Sequence, residues 1–125
     1  MKIFDSSMGN WGDKVNFVDE ENVFVGYDTG QKCCEHADWI IANKIVPYKD
    51  MEFDRATPNT EGYIFDTKYF NEIDEPDSDV SVIAFKLIHQ DQVDLYLHIF
   101  NVHNGYYYHG FTFKDGDKVI QEGEL

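Results

Sequence analysis

The sequence predicts a mainly β chain of the α+β type, with an antiparallel meander over its last third and one short helix. Three observations carry that expectation. From Val80 onward, runs rich in Val, Ile, Leu, Phe and Tyr alternate with short polar segments. Those segments hold Asn104-Gly105 and Asp115-Gly116, residue pairs that accept the positive φ of tight hairpin turns. Upstream, Pro47, Pro58 and Pro76 break any regular pattern between positions 47 and 79.

Taken in order, Lys14–Val18 alternates weakly, Asp19-Glu20-Glu21-Asn22 is turn-like, and Val23-Phe24-Val25-Gly26-Tyr27 is rich in β-formers, which reads as a first hairpin. Asp28-Thr29-Gly30 punctuates the chain. In the following stretch, His36, Trp39, Ile40 and Asn43 share one side at helical spacing. Glu35 and Asp38 stand where the positive end of a helix favours them, so a short helix is expected here, although Trp39-Ile40-Ile41 also suits a strand. Between positions 47 and 79 only Tyr63-Ile64-Phe65 resembles a strand, and the acidic run 72–79 reads as a solvated loop.

The meander is expected from strands at 80–88, 93–102, 106–113 and 118–122. Turns at Gln90-Asp91 and Asn104-Gly105 set Phe85 against Tyr96, Ile83 against His98, Phe100 against His109 and His98 against Phe111. One face then collects Ile83, Phe85, Leu87, Tyr96, His98, Phe100, Tyr107, His109, Phe111 and Phe113. The other collects Val82, Ala84, Ile88, Val93, Leu95, Leu97, Ile99 and Tyr108. Because both faces are apolar, the sheet must be covered on both sides, curl into a partial barrel, or offer one face to a partner. The first hairpin and the Trp39 helix are the available covers.

At 125 residues the chain suits one domain spanning 1–125, and 42% apolar with 16% aromatic residues supply a core and argue against disorder. Acidic residues outnumber basic ones 24 to 10, for a net charge of -14. Such a surface repels phosphate backbones and anionic lipid, so direct nucleic-acid or membrane binding is not expected and a protein partner is. Neither a leader-like apolar segment nor an apolar run of the ~18 residues a membrane helix needs is present, which points to the cytoplasm. The adjacent Cys33 and Cys34 offer no disulfide framework, in keeping with a reducing compartment.

Chemistry-bearing residues form two loose groups. Cys33, Cys34 and His36, with Asp38 nearby, are thiolate and imidazole donors that suit Zn²⁺, but structural zinc sites use two spaced pairs and no second cysteine pair exists. The plain alternative is a buried cysteine packed as a small apolar residue. His98 and His109 are expected diagonally across one sheet face with Tyr96, about 7 to 8 Å apart, among neighbours that describe a core more than a cleft. Asp74, Glu75, Asp77 and Asp79 lack the spacing and central glycine of a helix-loop-helix calcium site. No phosphate-cradling loop or nucleophile elbow occurs, so no catalytic residue and no cofactor is nominated.

The tripeptide Cys33-Cys34-Glu35 after a turn, with Asn104-Gly105-Tyr106-Tyr107 before an alternating strand, resembles a family of small phage and bacterial proteins known as a domain of unknown function. The likeness runs in order over 14–114. It departs where His36-Ala37-Asp38-Trp39 follows the Cys-Cys-Glu element in place of the family's strand-like or acidic segment. The resemblance implies a mostly β single domain and a phage or prophage origin, and it assigns no site. Three functions are therefore expected in competition: a non-enzymatic protein-interaction module, an acidic nucleic-acid mimic that inhibits a DNA-binding protein, and a metal- or thiol-dependent protein built on Cys33, Cys34 and His36.

Overall fold

The computed structural model describes residues 1–6, 14–30, 36–54, 56–102 and 108–125. Among them the chain is mainly β: β1 Lys2–Ser6, β2 Lys14–Val18, β3 Val23–Asp28, β4 His36–Ala42, β5 Ile64–Phe65, β6 Asn71–Ile73, β7 Val80–Ile88, β8 Leu95–Val102, β9 Gly110–Asp115 and β10 Lys118–Glu124. The one helical element among the described residues is a 3-10 turn at Tyr48–Asp50. No helix of the described residues is long and apolar enough to cross a membrane.

The strands build two antiparallel sheets. Sheet A runs β1-β2-β3-β9-β10, and sheet B runs β4-β8-β7-β5, with β6 also paired to β7. Neither closes into a barrel. Their inner faces meet on one cluster, to which sheet A contributes Val15, Phe17, Val25, Tyr27, Phe111 and Phe113, and sheet B contributes Ala37, Ile41, Phe65, Phe85, Leu97 and Ile99. Alternation along β2 and β3 supplies this directly, since every second residue turns inward. Polar links tie the sheets together, among them the Asn101 side-chain amide donating to the Leu125 carbonyl at 3.1 Å. The Tyr27 hydroxyl donates to the Phe100 carbonyl at 2.7 Å. Buried Asp19, at the β2–β3 turn, accepts from the amides of Glu21 and Val23 on Oδ1 and of Phe65 on Oδ2, each at 2.9 Å.

Four expectations need correction, the smallest being that Glu72 and Ile73, expected in a solvated loop, belong to β6, where pairing with Ile83 and Val82 of β7 lets Ile73 pack on the outer cluster. The stretch 36–42 is a strand and not a helix, paired along its whole length with β8. Its helical spacing is a coincidence overridden by burial on both sides: Ala37, Trp39 and Ile41 join the shared core while Ile40 and Ala42 join a second cluster on the outer face. Trp39 meets Phe17 edge-on at 5.1 Å.

The meander is also divided. β7 pairs with β8 and β9 with β10, but β8 and β9 lie in different sheets. The opposition of Phe100 to His109 and of His98 to Phe111 is therefore not formed: Phe100 lies between Val82 and Asp38, and His98 between Ala84 and Ile40. The Asn104-Gly105 turn itself falls outside the described residues. Having two apolar faces already excluded a half-exposed sheet, and parting the strands into two stacked sheets lets each face find cover.

The β7–β8 register differs by one residue, with Phe85 opposite Leu97 and not Tyr96. A tight turn at Gln90-Asp91 does not form, and His89 instead bends the connection by accepting the Asp91 amide on Nδ1 at 3.0 Å. One residue of slip moves a whole strand's alternate set to the other face. Leu95, Leu97 and Ile99 consequently turn inward, and His98 and Phe100 turn outward. The Asp115-Gly116-Asp117 turn forms as expected, with Gly116 at φ 59 and Lys118 opposite Asp115.

Candidate functional site

The outer face of sheet B is covered by its own chain. Segment 43–54 leaves β4, crosses the face and lays Val46, Tyr48 and Met51 over Val82 and Phe100, with Ile40, Ile73 and Val80 at the margin. Pro47 stops any strand, and the 3-10 turn that follows closes through the Asp50 amide to the Pro47 carbonyl at 3.0 Å. Two side chains fasten this arm. The Val46 amide donates to Nε2 of His98 at 3.1 Å, and the Tyr48 amide donates to Oε1 of Glu75 at 2.7 Å.

Phe100 is fully buried and organises an aromatic group around itself. Tyr48 and His36 lie 5.3 Å from its ring and Phe53 lies 5.6 Å away. Phe53 also touches His36 at 5.8 Å and Tyr48 at 6.0 Å, yet remains 49% exposed. Phe4, Val93, Tyr108 and Val119 are exposed too, and single apolar side chains at a surface are ordinary; what marks Phe53 is its packing against three other rings.

Beside Phe53 runs an open groove of about 960 Å³ between the arm, β4 and the Asp5 end of β1. Its described lining includes the carboxylates of Asp5, Asp38, Asp50 and Glu52 and the single ammonium of Lys44. Among the described residues β4 is the last strand of sheet B on this side. Asp38 bends back along it: Oδ1 accepts the Trp39 amide at 2.8 Å, and Oδ2 lies 3.7 Å from Nε2 of His36.

Of the residues nominated from the sequence, His36, Tyr96, His98 and His109 are described, and these do not converge. Cys33 and Cys34 lie outside the described residues, as do the Cys-Cys-Glu and Asn-Gly-Tyr-Tyr motifs. Among the described residues no group of three or more His, Cys, Asp or Glu side chains is placed to hold a metal ion. His36 belongs to the aromatic group. His98 and His109 stand on different sheets: burial lowers the pKa of His98 to about 4, leaving a neutral ring that also reaches the Tyr96 carbonyl through Nδ1 at 3.1 Å. His109 is buried with Nδ1 2.8 Å from the Asp28 carbonyl. Tyr96 packs at a tilt against Tyr69 at 5.8 Å, next to the Lys86–Asp94 ion pair of 3.4 Å.

The acidic loop serves as a turn. Asp77 Oδ1 accepts the Asp79 amide at 2.9 Å, and Glu75 holds the arm. Sequence reading passed over the arm and Phe53 because prolines bracket them. The available signal was the closeness of Tyr48, Met51 and Phe53, three large apolar side chains too many for a solvated loop.

Comparison with models of protein families, with curated proteins and with solved structures finds no match.

Proposed function

We propose that this chain is a small non-enzymatic protein-interaction module whose binding surface is the groove between β4 and the arm. The observation that carries the reading is Phe53, half exposed and backed by Phe100, Tyr48 and His36. Aromatic anchors that are already ordered lose little side-chain entropy on binding and are enriched at the centres of protein interfaces. The two buried histidines support the same reading, since His98 and His109 direct ring nitrogens to backbone groups. The resemblance to small phage proteins supports a phage or prophage setting for the module.

Affinity capture from cells that carry the protein, run in parallel with wild type and Phe53→Ala, tests the proposal. A partner should be retained at physiological salt by the wild type and lost by the variant, while both give the same circular dichroism melt. A partner held equally by both proteins, or none held by either, overturns it.

A further inference from the structure

We infer that the arm is a strap released by acid: protonation of His98 shifts the stretch 46–51 toward a state lifted off the outer face of sheet B and takes Tyr48 from the rings that back Phe53. The binding surface is thereby gated by pH, a consequence that rests on the interaction-module reading. Two neighbouring amides hold the stretch down. Val46 donates to Nε2 of His98 at 3.1 Å and Tyr48 to Oε1 of Glu75 at 2.7 Å, while Pro47 between them has no N–H to give. The main-chain bonds of the stretch, from the Asp50 amide to Pro47 and from the Met51 amide to Tyr48, run within it. Both fastenings are thus side-chain acceptors that bind protons. An imidazole protonated on both nitrogens has no acceptor left, and a protonated carboxyl is a weaker acceptor than the anion.

The surroundings of His98 make it responsive. Its ring is fully buried beneath the arm. The elements packed against it bring Asp38 on β4, Lys86 on β7 and Tyr96 on β8, and the arm adds Lys44, Tyr48, Lys49 and Asp50. Among the described residues the ring bonds to main-chain groups alone, so burial, and not an ion pair, keeps it neutral. Lifting the stretch returns the ring to water. The lifted state therefore takes up a proton that the closed state refuses, and acid draws the population toward it. Tyr48 leaves with the stretch, and its ring, 6.0 Å from Phe53 and 5.3 Å from Phe100, no longer supports either. Glu52, just beyond, keeps a partner of its own and marks where the release ends.

Amide hydrogen exchange of the full chain, followed residue by residue by NMR from neutral pH down to about pH 4, provides the test. After correction for the intrinsic pH dependence of exchange, the Val46 and Tyr48 amides should open about a hundredfold more readily at the acid end, the factor allowed by a pKa of about 4 beneath the arm and 6.5 in water. Leu97 and Ile99, held in β8 between β4 and β7, should stay protected through this opening. In His98→Gln, where an amide oxygen can accept without titrating, most of the pH dependence at Val46 should vanish. Glu75→Gln, which leaves the imidazole in place, should retain it.

Exchange of Val46 only in step with Leu97 and Ile99 at every pH overturns the inference, because the arm would then open only with the whole fold. So does an opening of Val46 that ignores pH in the wild type, a result that needs no variant to fold, or one equally acid-sensitive in His98→Gln. If the stretch lifts in acid while capture finds no Phe53-dependent partner, the strap stands and the interaction module falls.

Discussion

The Val46 amide points at Nε2 of His98 across 3.1 Å, so the arm that shapes the groove hangs on an imidazole that must be neutral to accept. Nδ1 therefore carries the ring proton and donates it to the Tyr96 carbonyl. Protonating Nε2 would replace this acceptor with a second donor facing an amide.

That pairing predicts a pH-dependent stability. With the folded pKa lowered to about 4 from an ordinary 6.5, the unfolded chain takes up a proton between those values and the folded chain does not. Stability from this group is complete above pH 6.5 and declines as pH falls toward 4. The loss is on the order of 3 kcal/mol. Urea titrations across this range should show the decline in the wild type in excess of that in His98→Gln, and parallel curves would contradict it.

Asp19 offers a sharper test of the link between sheets. Replacing it with Ala leaves the amides of Glu21, Val23 and Phe65 without their acceptor. With buried orphaned donors costing about 1–3 kcal/mol each, a loss on the order of 3 kcal/mol is expected in chemical denaturation. A change below about 1 kcal/mol would show that water takes over the carboxylate's place.

Phe53 and Phe100 should separate binding from folding. Phe100→Ala empties the centre of the outer cluster and should cost about 3–5 kcal/mol. Phe53→Ala, at a half-exposed ring, should cost less than about 1 kcal/mol while abolishing partner capture. Equal destabilisation by the two would make Phe53 a packing residue.

Gly62 is the most constrained glycine near β5. Its φ is 79, and a Cβ there would sit 2.9 Å from Nε2 of His89, whose ring packs on Tyr63 at 5.1 Å. Gly62→Ala should therefore lower stability by about 1–2 kcal/mol, read from thermal melts.

Much of this architecture is legible in the sequence where local rules agree. The β2–β3 hairpin and the Gly116 turn have apolar alternation and turn chemistry pointing the same way. β4 was misread because His36, Trp39 and Ile40 satisfy helical spacing as well as alternation, and only covering both faces of the strand decides between them. The register of His98 depended on one residue of loop length, which composition does not set. The separation of β8 from β9 was beyond local reasoning altogether, since it follows from which strands compete for the same edges. The groove was invisible for a related reason: Asp5, Asp38 and Glu52 are far apart along the chain, and only the packing of the arm beside two sheet edges assembles them.

β3 reaches past the whole of sheet B to pair with β9, so sheet A draws its strands from near the two ends of the described chain. Its closure brings a large loop-entropy cost that must be met before the pairing contributes anything. Folding should accordingly be slow for this size, in the range of milliseconds to seconds, and β1–β3 emerging from a ribosome should wait unpaired on their β9 side until nearly everything else has followed.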